Sequence, residues 1–228
     1  MEVVLVRARA PLFSVRHLET YQIAVSYTMA PPSTIVGAVG RGLAIMGECS
    51  GSEDCINAAR SLVLKARDVA VPSARFGVVL KRARGILEER RMPKSFKETG
   101  FFDALNREYV FAAEKLFLIV PSDNRRVLER ALWHLERLGD TESLIAVYDV
   151  AVERAERCEG LVNVVVRWEV ARGGGFVVQP GEDERGERQY FAFPVVAKEG
   201  GLYVPGGVKI DGGILCAGEV RFPESHDW

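Results

Sequence analysis

Ser33 and Thr34 follow Pro31-Pro32 directly and precede the run Ile35-Val36-Gly37-Ala38-Val39-Gly40-Arg41-Gly42-Leu43-Ala44. This order of residue types carries a definite chemistry. A proline pair holds the approach extended, a hydroxyl side chain can cap the first free amides of a helix, and those amides with the helix dipole make an anion site. The spacing predicts a helix over roughly 33–47 whose amino end offers Ser33 and Thr34 to a phosphate, with Gly37 in its first turns and Arg41 two turns further in. Gly37-x-x-Gly40-x-Gly42 reverses the spacing of the G-x-G-x-x-G dinucleotide fingerprint and lies in no βαβ context, which excludes NAD and FAD. The glycines are expected to let this helix approach the sheet or a neighbouring backbone closely.

A second candidate is cationic. Lys81 to Lys97 (KRARGILEERRMPKSFK) holds Lys81, Arg82, Arg84, Arg90, Arg91, Lys94 and Lys97 against only Glu88 and Glu89. Gly85 and Pro93 break it, and Ile86, Leu87, Met92 and Phe96 are interleaved. An exposed arm of this kind suits a clamp on a phosphate backbone with apolar wedges between bases, although many such arms are simply solvated.

Metal and cofactor chemistry find no support. His17, His134 and His226 share no ligand spacing with acidic or thiol partners, so no metal and no cofactor are expected. His134 falls on a helical face as a structural histidine. His17, with Arg16 and Tyr21 near it, has the chemistry of an acid or base in a metal-free ribonuclease, but no second proton-transfer group is fixed beside it. Cys49, Cys55, Cys158 and Cys216 form no CxxC pair, and buried free thiols are expected, with a local Cys49–Cys55 bridge as the alternative. Gly173-x-Gly175-x5-Gly181 formally matches a glycine-rich loop of some RNA-binding proteins, but it follows a predicted strand, where such spacing is common in hairpins.

The chain has 228 residues, 48% of them hydrophobic, enough for a sizeable core. No apolar run approaches the roughly 20 residues needed to span a bilayer. The N-terminus opens on a strand-like pattern rather than a signal peptide, and a cytoplasmic protein is expected. Net charge is −1, but it is unevenly spread. Residues 1–115 carry 17 basic and 12 acidic side chains, and the remainder 13 and 19. A basic half fused to an acidic half directs the search for a polyanion to the first half.

The elements that must position these residues follow from periodicity. Glu2 to Ala10 reads as a strand ended by Pro11, with Arg7 and Arg9 on one side. After the helix at 33–47, Cys55 to Arg67 forms a short helix or helix plus strand. Asp68 to Leu80 has strand character on both sides of Pro72, and Glu108 to Pro121 is a central strand. Ser122 or Asp123 caps an amphipathic helix through Leu138 that Gly139 closes, and Thr141 to Val152 is a strand. This βαββαβ order predicts an α+β, ferredoxin-like fold. The domain division is 1–158, with the basic arm at 81–107, and a β-rich region at 159–228, in which Pro180 to Arg188 is a charged, exposed loop. No RNP1-like aromatic signature appears in the strands.

The Phe13-Ser14 segment, Ser26-Tyr27 leading to Pro31-Pro32-Ser33-Thr34-Ile35-Val36-Gly37-Ala38, and Leu138-Gly139-x-x-Glu142-Ser143-Leu144 resemble the CRISPR-associated RAMP proteins, and most closely the Cas-five family in its archaeal type I-A branch. The resemblance spans the first two-thirds of the chain. It implies a non-catalytic subunit of the type I Cascade surveillance complex that grips the 5′ handle of the CRISPR RNA and caps the backbone filament in antiviral defence. The implied partners are crRNA, a backbone subunit and a large subunit, with no membrane and no small-molecule substrate. The family's thumb between its second and third strands matches the basic arm. From the basic half and the helix-launching motif, the candidate RNA-binding set is Arg16, His17, Tyr21, Ser33, Thr34, Gly37, Arg41, Lys81, Arg82, Arg84, Arg90, Arg91 and Lys94. A branch of the family cleaves precursor RNA without metal. His17 and Tyr21 match that chemistry, but no lysine does.

Overall fold

The architecture is taken from a computed structural model that describes the chain apart from residues 21–23, 84, 96, 123, 226 and 227, and describes residues 81, 82, 99 and 103 by their backbone alone. Strand β1 (Glu2–Phe13) alternates so that Val4, Val6, Ala8 and Ala10 enter one core while Val3 and Leu5 enter another. It runs past Pro11 rather than ending there, because the pairing slips between Ala10 and Phe13 and accommodates the missing amide in the irregularity. Then come α1 (Pro32–Met46), α2 (Ser52–Leu62), β2 (Val63–Asp68), β3 (Ser73–Arg82), a short α3 (Gly85–Glu89), β4 (Asp103–Pro121), α4 (Arg125–Trp133) and β5 (Ala146–Arg154).

Strand β4 is the spine. It pairs antiparallel with β1 on one side and, on the other, with β3 along its first half and β2 along its second. With β5 on the far edge of β1, the lower sheet has the order β5-β1-β4-β2. Helices α1, α2 and α4 cover one face through Ile35, Val36, Val39, Leu43, Ala59, Leu62, Leu128 and Leu132.

The remaining elements are β6 (Glu156–Cys158), β7 (Val166–Arg167), β8 (Ala171–Gly175), β9 (Val177–Glu182), β10 (Arg188–Phe193), β11 (Val195–Ala197), β12 (Leu202–Pro205), β13 (Gly207–Ile210), β14 (Ile214–Ala217) and β15 (Val220–Pro223). The fold is α+β with a mostly antiparallel sheet. The β-rich region shares both cores: Phe191, Phe193 and Val195 join the helix side, while Val162, Val164, Phe222 and Trp228 cover Leu116, Leu118 and Val120 on the other. Strand β12 also pairs with β3 and lengthens the main sheet.

Four local expectations change. Disulfides join Cys49 to Cys55 and Cys158 to Cys216, so the described chain has no free thiol; the second pair is brought together only by the pairing of β6 with β14. Residues 180–188 are not an exposed loop, since β9 continues to Glu182 and Asp183 and Glu184 are buried. Glu184 accepts from the fully buried guanidinium of Arg67, which also donates to the Trp228 carbonyl and lies 5.0 Å from its indole. The second long helix stops at Trp133. Leu135 and Leu138 are still buried because the chain turns back into the core, and the helix starts from Asn124 in the left-handed region (φ 64°) without a side-chain cap. The expected cap Asp123 lies outside the described residues. Finally, Gly173 to Gly175 and Gly181 are strand residues, not a phosphate loop.

Candidate nucleic-acid interface

Helix α1 begins at Pro32, with Pro31 as its cap residue at φ −61° and ψ 156° and no side-chain cap hydrogen bond. Ser33 and Thr34 therefore stand in the first turn rather than capping it, because Pro31 holds the cap position and Pro32 the first helical one, where its fixed φ suits the entry; the Thr34 amide donates to the Pro31 carbonyl at 3.1 Å. The approach is held from beneath. The Ala30 amide donates to Asp68 Oδ2 at 2.7 Å, and the same oxygen meets Lys115 Nζ at 2.5 Å with both side chains fully buried. Burial pushes the Asp68 carboxyl up, opposed by Lys115 and by the amides of Ala30 and Val69. The Phe13 ring lies 5.2 Å from the Lys115 ammonium.

The glycines of α1 divide into two kinds. A Cβ on Gly40 would stand 2.9 Å from the Cys55 carbonyl oxygen, and one on Gly42 would stand 2.3 Å from that of Ala131, so these positions let α2 and α4 approach the helix backbone. Gly37 is different, since a Cβ there would meet nothing within 4 Å. With Arg41 it forms the rim shared by two clefts. One, of about 420 Å³, is lined also by Thr34, Ala38, Arg137, Gly139 and Thr141. The other, of about 360 Å³, adds Gly40, Ala44, Gly51, Ser52, Cys55 and Ile56. Glu136 ties the rim cations together, 2.9 Å from Arg41 Nε and 3.9 Å from Arg137 Nε.

Arg16 and His17 lie on a small hairpin above the end of β1. Arg16 bridges Ser26, the His17 amide donates to the Val25 carbonyl, and the Tyr27 amide donates to that of Val15. The His17 ring stacks on Tyr27 at 4.6 Å, and its Nδ1 accepts from the Glu19 amide at 3.3 Å. Burial, with Arg75 adding and Glu19 opposing, holds His17 below the usual imidazole range. The Tyr27 hydroxyl donates to the Pro180 carbonyl at 2.6 Å, and burial pushes it up to about 12.

Three surfaces that are separate in sequence become one. Leu138-Gly139 and Glu142-Ser143 form a turn clamped onto the end of β1: the Ser14 amide donates to Ser143 Oγ at 2.9 Å, and the Asp140 amide donates to the Ser14 carbonyl at 3.1 Å. Gly139, at φ 89°, leaves no room for a side chain against Ser14 and Val15. The turn faces the α1 cleft on one side, and on the other its Asp140 and Glu142 pair with Arg107 at 3.2 and 2.8 Å. Arg107 belongs to β4, where Ala24 of the hairpin also bridges it, and there the extended β3–β4 pair carries the basic arm. On the arm Arg90 and Lys94 are exposed, Arg91 stacks over Phe101 at 4.2 Å and pairs with Glu98, and Leu87 and Met92 stand 84% and 73% exposed.

A family model described as CRISPR-associated protein (Cas_Cas5) matches residues 3–205. The chain belongs to this Cas5 family. A protein of Thermoproteus tenax described as CRISPR-associated protein Cas5 is 42% identical over the whole of both chains. One of the same description from Methanocaldococcus jannaschii is 26% identical over 62% of this chain and 60% of its own. A solved structure, described as a CRISPR protein from Archaeoglobus fulgidus, superposes over 99% of this chain and 100% of its own with a TM-score of 0.61 at 19% identity, a likeness of fold.

In this Cas5 family member the structure brings Thr34, Gly37 and Arg41 together, places Arg16 and His17 on the neighbouring hairpin, and puts Arg90, Arg91 and Lys94 on the arm. Tyr21 and Arg84 lie outside the described residues, as do the side chains of Lys81 and Arg82. Sequence reasoning missed Arg137, Arg75 and Arg107. Arg137 had a signal, because it directly precedes the Leu138-Gly139 turn; Arg75 and Arg107 are ordinary strand arginines until the hairpin lands on them. No helix among the described residues is long and apolar enough to cross a membrane.

Proposed function

We propose that this chain is the non-catalytic subunit of a type I Cascade surveillance complex, in its archaeal type I-A form, that grips the 5′ handle of CRISPR RNA and caps the backbone filament in antiviral defence. One observation carries the reading: the α1 cleft, the Ser14–Ser26 hairpin and the base of the basic arm are joined through the 137–142 turn into one arginine-bearing surface. A phosphate backbone laid along it meets Thr34, Gly37, Arg41 and Arg137, then Arg16 and the arm. The order β5-β1-β4-β2 with helices on one face supports a ferredoxin-like core, and the β3–β4 extension supports its thumb. The backbone subunit and the large subunit are the protein partners in this reading, with the cytoplasm as its setting.

Replacing Arg90, Arg91 and Lys94 by glutamine is expected to weaken binding of a 5′-handle oligoribonucleotide and to reduce the salt slope by roughly one unit per lost phosphate contact. An unchanged slope removes the arm from the interface. A second reading, metal-independent cleavage of precursor RNA, is favoured by the half-buried His17 ring, stacked on Tyr27 and held below the usual imidazole range by burial, the direction that suits a proton acceptor. Incubating the purified protein with repeat RNA in EDTA decides it, since the absence of a discrete product eliminates that reading.

A further inference from the structure

The face of the main sheet turned away from the helices is covered by the β-rich region only along its lower half. Its upper half carries phenylalanines that the cores do not use. Phe111 of β4 pairs with Ala74 of β3, and Phe76 stands two residues on from Ala74, so the two rings occupy diagonal positions on one face of adjacent antiparallel strands. They are 48% and 44% exposed. Neither ring stacks on another among the described residues. Leu202 extends the row through its pairing with Ala74, and Leu12 turns to the same side because its neighbour Phe13 points into the helix-side core. These two are 52% and 42% exposed. Tyr109, paired with Phe76 and two residues from Phe111, lies on the same face between them and is buried, with the Arg107 guanidinium 6.0 Å from its ring.

Among the described residues, one cation on this face is left without an ion pair. Arg9 lies between Ala8 and Ala10, which are both buried on the helix side, so its side chain emerges on the open side and is exposed. Arg7 on the same face is held by Glu219, Glu114 and Asp149, whereas Arg9 has no ion pair among the described residues.

We infer that this face is a base-stacking platform for single-stranded RNA, with Phe76 and Phe111 each receiving one base and Arg9 meeting the phosphate beside them. It rests on the RNA-binding reading above and adds to it a second contact surface, on the opposite side of the sheet from the α1 cleft. Two features favour RNA over a protein partner. The four half-exposed apolar side chains leave on the order of 350 Å² open, under half of the about 800 Å² per partner of a standard protein interface, yet ample for two bases. And the surface pairs flat rings with an unpaired arginine, the combination by which single strands are held without sequence preference. The absence of an RNP1-like run does not oppose this, because Phe76 and Phe111 meet through strand register alone.

The test uses the full chain, a short fluorescein-labelled oligoribonucleotide of mixed sequence, and the same backbone carrying abasic positions. The unaltered protein is expected to bind the base-bearing probe about tenfold or more tightly than the abasic one. The double variant Phe76→Leu/Phe111→Leu, which keeps the apolar surface but removes the rings, is expected to lose that preference with an unchanged melting temperature, and Phe76→Tyr/Phe111→Tyr to retain it. If the unaltered protein binds RNA but the leucine variant keeps the same affinity and preference, the platform is wrong and the RNA-binding reading stands. No binding of either probe by the unaltered protein removes both. Loss of a co-purifying protein from the leucine variant, with RNA affinity intact, overturns the platform in favour of a protein interface.

Discussion

Replacing Gly37 by alanine separates folding from function more sharply than any other single change. In the interior of α1, glycine is less favourable than alanine by about 1 kcal/mol. At Gly37 the new methyl meets nothing within 4 Å, so no packing loss offsets the gain. The variant is expected to melt about 2–4 °C higher, the shift that about 1 kcal/mol produces in a domain of this size. Gly42→Ala is the control: its methyl would lie 2.3 Å from the Ala131 carbonyl oxygen, forcing α1 and α4 apart. Overpacking of this kind costs about 1–3 kcal/mol and outweighs the helix gain, so that variant melts lower. The methyl on Gly37 also sits on the rim shared by the two clefts, beside Thr34 and Arg41. If an RNA backbone lies there, affinity for handle RNA should fall about tenfold, equivalent to about 1.4 kcal/mol, while stability rises. Differential scanning calorimetry and fluorescence anisotropy read the two effects independently. A stabilised variant with unaltered RNA affinity refutes the placement of RNA on α1, and a destabilised one refutes the open geometry of Gly37.

Lys115→Met leaves the Asp68 carboxylate buried with only amide partners beneath the start of α1, and is expected to destabilise the fold by about 3–5 kcal/mol in chemical denaturation; the double variant Asp68→Asn/Lys115→Met should recover much of that loss. Glu136→Gln releases Arg41 and Arg137 from their shared carboxylate, and handle-RNA affinity should rise several-fold at low salt with a steeper salt dependence, while the melting temperature changes little because exposed ion pairs contribute about 0–1 kcal/mol. An affinity that stays flat places the α1 cleft outside the interface.

The linear chain specifies the elements whose physics is local. Pro31-Pro32 launches α1 whatever surrounds it, the glycine-dotted run reads as a helix meant for close packing, and a seven-cation arm broken by Gly85 and Pro93 reads as a protrusion. Those features also carry the family resemblance. At two places a competing local signal loses to the fold. Ser33 looked like a cap because hydroxyls usually are, but Pro31 took the position. Pro180 to Arg188 looked solvated because it is charged, but Arg67 and Arg167 draw Glu184 and Asp183 inward.

What only tertiary structure decides is which residues share a surface. Cys158 finds Cys216 through strand pairing, Ser143 finds Ser14 across most of the chain, and the turn they fix brings Arg137 and Arg107 beside the hairpin and the arm. Phe76 and Phe111 share a face because antiparallel register, not sequence spacing, sets cross-strand neighbours. Periodicity reports how each element is oriented, and the long-range pairings report what it meets.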